Sequence, residues 1–550
     1  MQDAIQAPMV STMMAQPLSL NHLLDRAGYL FPSSEIVSRL PDKSYRTQRF
    51  SEFHDRTRRL AQALLDLGIA RGDRVATLCW NHHAHLECYF GIPAAGAVMH
   101  TLNLRLSPDE IGRIAADAQD RVLVVDDILL PLYRQFAHLH RFEHVIVFPF
   151  SGAPVPAGEG LTDYEALLAA TDVSQFRYPA HAEDDPVSMC YTSGTTGRPK
   201  GVVYSHRSTV LHTLVGCLGD CWGLRGTDTV LPVTPMFHAN SWGIPYACVM
   251  LGTKLVFPGP HLHPDDLLDL MQHHPPTLAL GVPTIWLGLI QAYEAALTAQ
   301  PGRWKLPPGM RSLVGGAAVP ESLIRTFHRH GVWLLQGWGM TETSPLATVS
   351  YPKAELRDID TDERYRRAAM AGVPVPLVDV RLRQDDGSDA PWDGQTVGEI
   401  QVRGPFITGS YHRVPVSEDK FTPDGWLRTG DVASMDPHGF VRITDRTKDL
   451  IKSGGEWISS VDLENALMGH PQVLEAAVIA IPDEKWSERP LACVVSRSGQ
   501  PVDRSSLDAC LLDRGFAKWQ LPERYEFIEA VPRTSTGKFY KLRLRERFPR

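Results

Sequence analysis

The sequence predicts an α/β protein: a large amino-terminal domain of parallel αβ units carrying a small barrel-like β unit, then a small α+β domain. Three observations predict it. Between Phe50 and Val125 helix-like and strand-like segments alternate, and such alternation builds crossover units on a mostly parallel sheet. From Val397 the chain changes to EIQVRG, ITGSYHR, GWLRTGD and GFVRITDR, short strands with frequent glycine turns that suit a small antiparallel or barrel-like unit. A charged DRTKD then precedes a final compact unit, which puts the domain boundary at Asp445, with domains over 1–445 and 446–550.

The elements follow from local pattern. SEFHDRTRRLAQALLDLGI spaces its apolar residues for a helix that stops at Gly68, and DRVATLCW follows as a short strand. A second apolar helix runs through Val98, and RVLVVDD reads as a buried strand. VLPVTP, KLVFPG, TLALGVP and SLVGGAA are short apolar runs, each closed by Gly, Ala or Pro, as parallel strands are. EWISSVDLENALMGHP is an N-capped amphipathic helix and VLEAAVIAIP a strand.

Composition excludes several function classes. A 550-residue chain with 43% hydrophobic and 21% charged residues is an ordinary globular protein of at least two folding units. A net charge of −8 argues against a nucleic-acid surface. Eight cysteines without a CxxC pair fit neither a disulfide framework nor a zinc ribbon, and point to a reducing compartment, the cytoplasm. The first residues lack the basic start of a secretory signal, and no run is long and apolar enough to span a bilayer.

The strongest signal is YTSGTTGRPKGVVYSHR, from Tyr191 to Arg207. Thr192, Ser193, Gly194, Thr195, Thr196 and Gly197 are small enough for backbone amides to crowd an anion, and Lys200 adds a point charge. It is a phosphate cradle but not a Walker loop, because the lysine stands six residues after Gly194 and is followed by Gly201.

This loop resembles the signature of the adenylate-forming superfamily of acyl-CoA synthetases, luciferases and peptide-synthetase adenylation domains. Four further segments resemble it in the expected order: PMFHANSWGIPY, QGWGMTET, WLRTGD with ITDRTKDLIKSGGEWISS, and PRTSTGKFYK. Segments around STMM, NLRLSP, GVPTIW and GFAKWQLP most resemble bacterial fatty-acyl-CoA synthetases, so the likeness covers essentially the whole chain.

The resemblance implies a two-step ligase using ATP, Mg²⁺ and coenzyme A. A carboxylate is a poor electrophile, and joining AMP to it creates a good leaving group, provided cations neutralise charge on the phosphoryl oxygens. By resemblance, Thr192 and Glu342 hold the metal, the loop from Ser193 to Lys200 takes the β- and γ-phosphates, and Lys538 bridges the substrate carboxylate and the α-phosphate. Gly316, Ala317 and Ala318 leave room for a flat base, and Gln336, Gly337, Trp338, Gly339, Met340 and Thr341 complete the nucleotide slot. Trp338 stands where the family more often has Tyr, so a polar role at that position is in doubt. Asp431 takes the ribose hydroxyls with Arg446 beside it.

For the second step the resemblance implies that the small domain is mobile and rotates about Lys448. Rotation withdraws Lys538 and presents the SGGEW loop, where Gly454 and Gly455 admit the pantetheine arm and Lys452 and Trp457 contact the nucleotide. His238 borders the carboxylate site and the thiol tunnel in a gating role, preferred to a general-base role because a coenzyme A thiol already has accessible thiolate near neutral pH. Trp242 gates the acyl tunnel, and Gly281, Val282 and Gly315 line it, within stretches from Ser241 to Tyr246, Gly281 to Trp286 and Gly315 to Ala318. Those stretches carry no Lys or Arg to greet a polar head, so a monocarboxylic aliphatic acid is expected, and the resemblance implies a fatty acid of medium to long chain. A short thioether or aryl acid, held in a pocket closed by Trp242 or Trp286, is the alternative. The segment STMMAQPLSLNHLL resembles one exchanged between subunits, which implies a homodimer.

Overall fold

The computed structural model describes residues 11–158, 160–192, 199–446, 449–453, 456–534 and 538–549. In a seven-stranded sheet the parallel strands Leu161–Asp163, His144–Phe148, Asp120–Asp126, Arg74–Leu78, Val98–Thr101 and Pro186–Tyr191 lie side by side, and antiparallel Gly201–Ser205 closes one edge. In a nine-stranded sheet Glu35–Arg39, Lys254–Phe257, Thr229–Pro232, Leu278–Gly281, Arg311–Val314 and Trp333–Gly339 run parallel, with antiparallel strands at both edges. The runs closed by Gly, Ala or Pro are these buried parallel strands, as expected.

The helix over Phe50–Asp66 forms as its spacing predicts, and Gly68 turns left-handed (φ +77°) just past its end. The next helix, His83–Ala94, is shorter than expected. Gly96 takes φ +79°, which ends the helix and lets Val98 open a strand.

The barrel-like unit is an open antiparallel meander of Asp379–Arg383, Gly398–Arg403, Leu427–Met435 and Val441–Arg446, whose two outer strands do not pair with each other. The carboxyl-terminal unit is built on the long hairpin Val473–Asp483 and Ser487–Ser496, with parallel Arg524–Phe527 beside it. Ser459 caps the helix Ser460–Met468 by accepting the Asp462 N–H at 3.0 Å. No described helix is long and apolar enough to cross a membrane.

Two features of this architecture position the site. Strands Thr229–Pro232, Leu278–Gly281, Arg311–Val314 and Trp333–Gly339 all end on one edge, so the loops after them converge on a single cleft. Helices flanking the seven-stranded sheet are pinned by a buried carboxylate: Glu87 accepts from Arg56 Nε at 2.6 Å, Gln48 Nε2 at 2.8 Å and Tyr164 Oη at 2.7 Å. Arg56 also binds Glu165 at 2.8 Å. Arg56→Met leaves the Glu87 charge uncompensated and is expected to cost about 3–5 kcal/mol, read as a lower Tm by calorimetry. Adding Glu87→Gln should restore much of that loss, and an unchanged Tm in the single variant would remove the anchor from the account.

Candidate active site

A cleft of about 1200 Å³ opens at those strand ends and is walled on its far side by the carboxyl-terminal unit. It gathers Thr192, Lys200, His238, Trp242, Val282, Gly315, Gly316, Ala317, Ala318, Gln336 through Glu342, Asp431, Arg446 and Lys538. Residues far apart in the chain thus share one enclosure.

Asp431 and Arg446 face each other in register on neighbouring strands, with Arg446 Nε 3.2 Å from Asp431 Oδ1. The indole N–H of Trp338 donates to Asp431 Oδ2 at 2.9 Å. Trp338 therefore does carry a polar contact: it has no hydroxyl, but its ring nitrogen grips the carboxylate. Each carboxylate oxygen keeps a further lone pair for a ligand hydroxyl.

The expected base slot is shaped by missing side chains. A Cβ on Gly315 would stand 2.7 Å from the Gly337 carbonyl oxygen, and one on Gly339 would overlap the Pro345 carbonyl. Gly316 adopts φ +84°, and a Cβ there would meet Val282 and, at 3.9 Å, Lys538 Cε. Gln336 is held by the Val319 N–H, which donates to Oε1 at 3.1 Å.

On the anion side, Thr192 N–H donates to the Lys200 carbonyl at 3.0 Å, and Lys200 N–H donates to Thr192 Oγ1 at 3.3 Å. These bonds close the base of the glycine-rich loop, whose Ser193, Gly194, Thr195, Thr196 and Gly197 lie outside the described residues. Lys200 Nζ sits 4.9 Å over the ring of Tyr411. The Tyr411 hydroxyl in turn donates to Glu342 Oε1 at 2.7 Å. Burial, and next the Glu342 charge, push the Tyr411 phenol above its ordinary range, so it stays a donor. Tyr411 was missed from sequence. Its signal, a tyrosine in GSYHR, is visible only once the meander folds it against GMTET.

Lys538 rides on a turn closed by Thr534 N–H to the Lys538 carbonyl at 2.8 Å and Lys538 N–H to Thr534 Oγ1 at 3.2 Å. Burial, and then the Arg446 charge, lower its ammonium to about 8, against the opposing pull of Asp431 and Glu342. Burial, followed by the charges of Lys538 and Arg105, brings the His238 imidazole down to about 4. His238 is thus neutral at physiological pH. It opens a left-handed turn in which Ala239, Asn240, Ser241 and Trp242 all have positive φ before Gly243. Ser241 and Thr234 bond their hydroxyls at 2.8 Å, and Asn240 Nδ2 donates to Ser188 Oγ at 2.9 Å, which holds this backbone in place.

Several expectations need correction. Gly281 does not line the cleft: a Cβ there would stand 2.9 Å from Trp286 Nε1, so this glycine makes room for a core side chain. Trp286 is fully buried against Phe327 and closes no pocket. Ser241 and Tyr246 are likewise buried, and from that stretch only Trp242 reaches the cleft. Lys452 and Trp457 oppose each other on the solvent face of the hairpin Ile451–Ser453 and Glu456–Ile458, whose Ile451 and Ile458 are buried; Nζ lies 5.1 Å from the ring, and neither residue lines the cleft. Lys448, Gly454 and Gly455 lie outside the described residues.

Comparison with known proteins agrees with this geometry. The AMP-binding enzyme family matches residues 24–412, and the AMP-binding enzyme C-terminal domain matches 462–538. A long-chain-fatty-acid–CoA ligase of Thermus thermophilus is 48% identical over 540 residues, 98% of this chain and 97% of its own. A 3-methylmercaptopropionyl-CoA ligase of Ruegeria pomeroyi is 43% identical, over 98% of this chain and 99% of its own. The crystal structure of an anthranilate CoA ligase in complex with anthranoyl-AMP superposes with a TM-score of 0.85 at 25% identity, covering 98% of this chain and 99% of that one. Matched over both its large and its small units, the chain belongs to the AMP-binding enzyme family, among its acyl-CoA ligases.

Proposed function

We propose that this ligase activates a medium- to long-chain fatty acid as its acyl adenylate, releasing pyrophosphate, and then passes the acyl group to coenzyme A. The observation that carries this reading is one cleft lined both by Lys538, Arg446, Lys200, Glu342 and Asp431 and by the apolar side chains of Trp242, Val282 and Leu313. A carboxylate can sit among the cations with its apolar tail away from them.

In the first step the acid's carboxylate attacks the α-phosphorus of ATP. Lys538, carried in by the small domain, spans carboxylate and phosphate, and Lys200 meets the departing pyrophosphate. Asp431 receives the ribose hydroxyls, oriented by Trp338 and Arg446. Glu342 and Thr192 offer the hard oxygen ligands that Mg²⁺ favours, and the ion, when bound, offsets charge on the phosphoryl oxygens. Neutral His238 borders the carboxylate as a gate and adds no charge that would compete with Lys538.

For the second step the domains 1–445 and 446–550 change pose about Lys448. Bonds that span the boundary would open in that change: Arg442 to Asp462 at 2.7 Å, Ser459 Oγ to the Thr444 carbonyl at 2.6 Å and Ser460 N–H to Asp445 at 3.1 Å. All three are polar and replaceable by water, which favours a reversible seam. Lys452, Trp457, Gly454 and Gly455 then belong to the thioester-forming pose. A cytoplasmic homodimer is part of the same proposal, supported by the eight described cysteines, all free, and by Met13 and Met14, 79% and 92% exposed on the segment that resembles an exchanging one. A short thioether acid is the second reading, favoured by the Ruegeria relative; kcat/KM across acids of increasing length decides between them, with a maximum at short thioether acids excluding the fatty-acid assignment.

Lys538→Ala is expected to abolish acid-dependent exchange of pyrophosphate into ATP while largely sparing thioester formation from supplied acyl adenylate; equal loss in both steps would contradict the division of labour. In the exchange assay kcat/KM for ATP should fall as pH rises through about 8, where the Lys538 ammonium loses its proton. Lys538→Arg, charged throughout, should flatten that limb. Trp338→Phe keeps the ring but removes the N–H bond to a charged acceptor, a loss of about 1.5–3 kcal/mol, so KM for ATP should rise about tenfold or more with acid preference unchanged.

A further inference from the structure

We propose that Trp222 is the end wall of the acyl chamber and sets the maximum length of the acid the enzyme accepts. The inference rests on the acid-activating reading of the cleft and adds what limits the substrate. Trp222 lines the cleft although only 2% of its surface is exposed, so what it shows is one part of a ring embedded elsewhere. It stands behind Trp242: a Cβ on Gly243 would lie 3.6 Å from Trp222 Cη2, and one on Gly315 would lie 3.5 Å from Trp242 Cη2. Both indoles line the same cleft as Leu313 and Leu346, with Trp222 packed against the Gly243 that follows Trp242.

An end wall selects length only if it cannot swing aside, and Trp222 is held by packing and by its main chain, its buried indole N–H making no hydrogen bond among the described residues. Gly216 on the helix His206–Gly216 leaves the space the ring fills, since a Cβ there would fall inside the indole. His212 meets the ring edge-on at 5.6 Å and 68°. That imidazole is itself immobile, because Leu346 N–H donates to His212 Nε2 at 3.2 Å and burial brings its pKa down to about 3, leaving it neutral. The main chain is held as firmly. Trp222 N–H donates to the Gly216 carbonyl at 2.9 Å, and Arg311 Nη1 donates to the carbonyls of Trp222 at 3.0 Å and Gly223 at 2.8 Å. Arg311 is anchored by Asp228, whose two carboxylate oxygens each accept from Nη2 at 2.9 Å.

The chemical class that fits is an unbranched monocarboxylic acid with an apolar terminal methyl. Up to the wall each methylene should raise kcat/KM about fourfold, which is ~0.8 kcal/mol converted at 1.4 kcal/mol per tenfold. Beyond it, a rigid, close-packed wall rejects the extra atoms.

The test is kcat/KM over straight-chain acids of increasing length, at saturating ATP and coenzyme A, for the parent, Trp222→Leu and Gly216→Ala. Trp222→Leu should move the maximum to longer acids by about two methylenes or more, leaving KM for ATP alone. Gly216→Ala should push the indole into the chamber and move the maximum to shorter acids. A folded Trp222→Leu enzyme with the parental profile, or shifts of the same sign in both variants, would overturn the proposal. If the parent accepts no aliphatic acid but takes aryl acids, the fatty-acid reading falls. The same variants are then run with 4-alkylbenzoates of growing alkyl length, where an unmoved limit overturns the end wall in its turn.

Discussion

The cleft depends on burying the Asp431 carboxylate with partners that still leave each of its oxygens a further lone pair. Asp431 is almost wholly buried, and a buried carboxylate is costly unless it is paired and hydrogen-bonded. Trp338 and Arg446 supply that pairing, one lone pair on each oxygen, and both are fixed by strands. The same logic runs through Glu342, steadied by Tyr411, and through Lys200, whose charge rests over the Tyr411 ring. Tyr411 thus couples an anion and a cation that must sit close together, spacing them without letting them neutralise each other directly. Preorganised groups of this kind need no rearrangement when phosphate charge arrives.

Backbone geometry carries the rest of the cleft. Gly315 and Gly339 allow main chains to approach so closely that a side chain at either would strike a neighbouring carbonyl. The left-handed turn after His238 is the opposite case, four residues with side chains in a conformation that costs roughly 1–2 kcal/mol each. The buried bonds of Ser241 to Thr234 and Asn240 to Ser188 offset that cost. What the strain achieves is placement: it brings both His238 and Trp242 to the cleft within a few residues while Ser241 stays buried. Strained backbone is commonly found at such functional junctions.

The small carboxyl-terminal unit walls one side of the cleft, Lys538 and Lys541 included, and meets the large unit across bonds between polar groups. Its interior, by contrast, is apolar: the hairpin Val473–Asp483 and Ser487–Ser496 is packed against helices Ser460–Met468 and Arg504–Asp513. A compact body with a polar seam fits the proposed movement of Lys538 with its domain.

The sequence by itself determined the family, because the residues that resemble its nucleotide site sit in short motifs whose meaning is local. The glycine and hydroxyl run after Tyr191, the GMTET glutamate, the RTGD aspartate and the lysine of PRTSTGK each carry their role in a few neighbouring residues, and the alternation of helix and strand carried the fold class. Only the tertiary structure decided which neighbours serve those motifs. Tyr411 beside Glu342 and the indole N–H of Trp338 on Asp431 join segments 69 and 93 residues apart, and the turning of Gly281 toward Trp286 instead of the cleft shows only once the strand end and the following helix are packed. Side-chain periodicity says which face of an element is apolar, but not which apolar face meets core and which meets ligand. That distinction arises only when strand ends converge and leave one cleft unfilled.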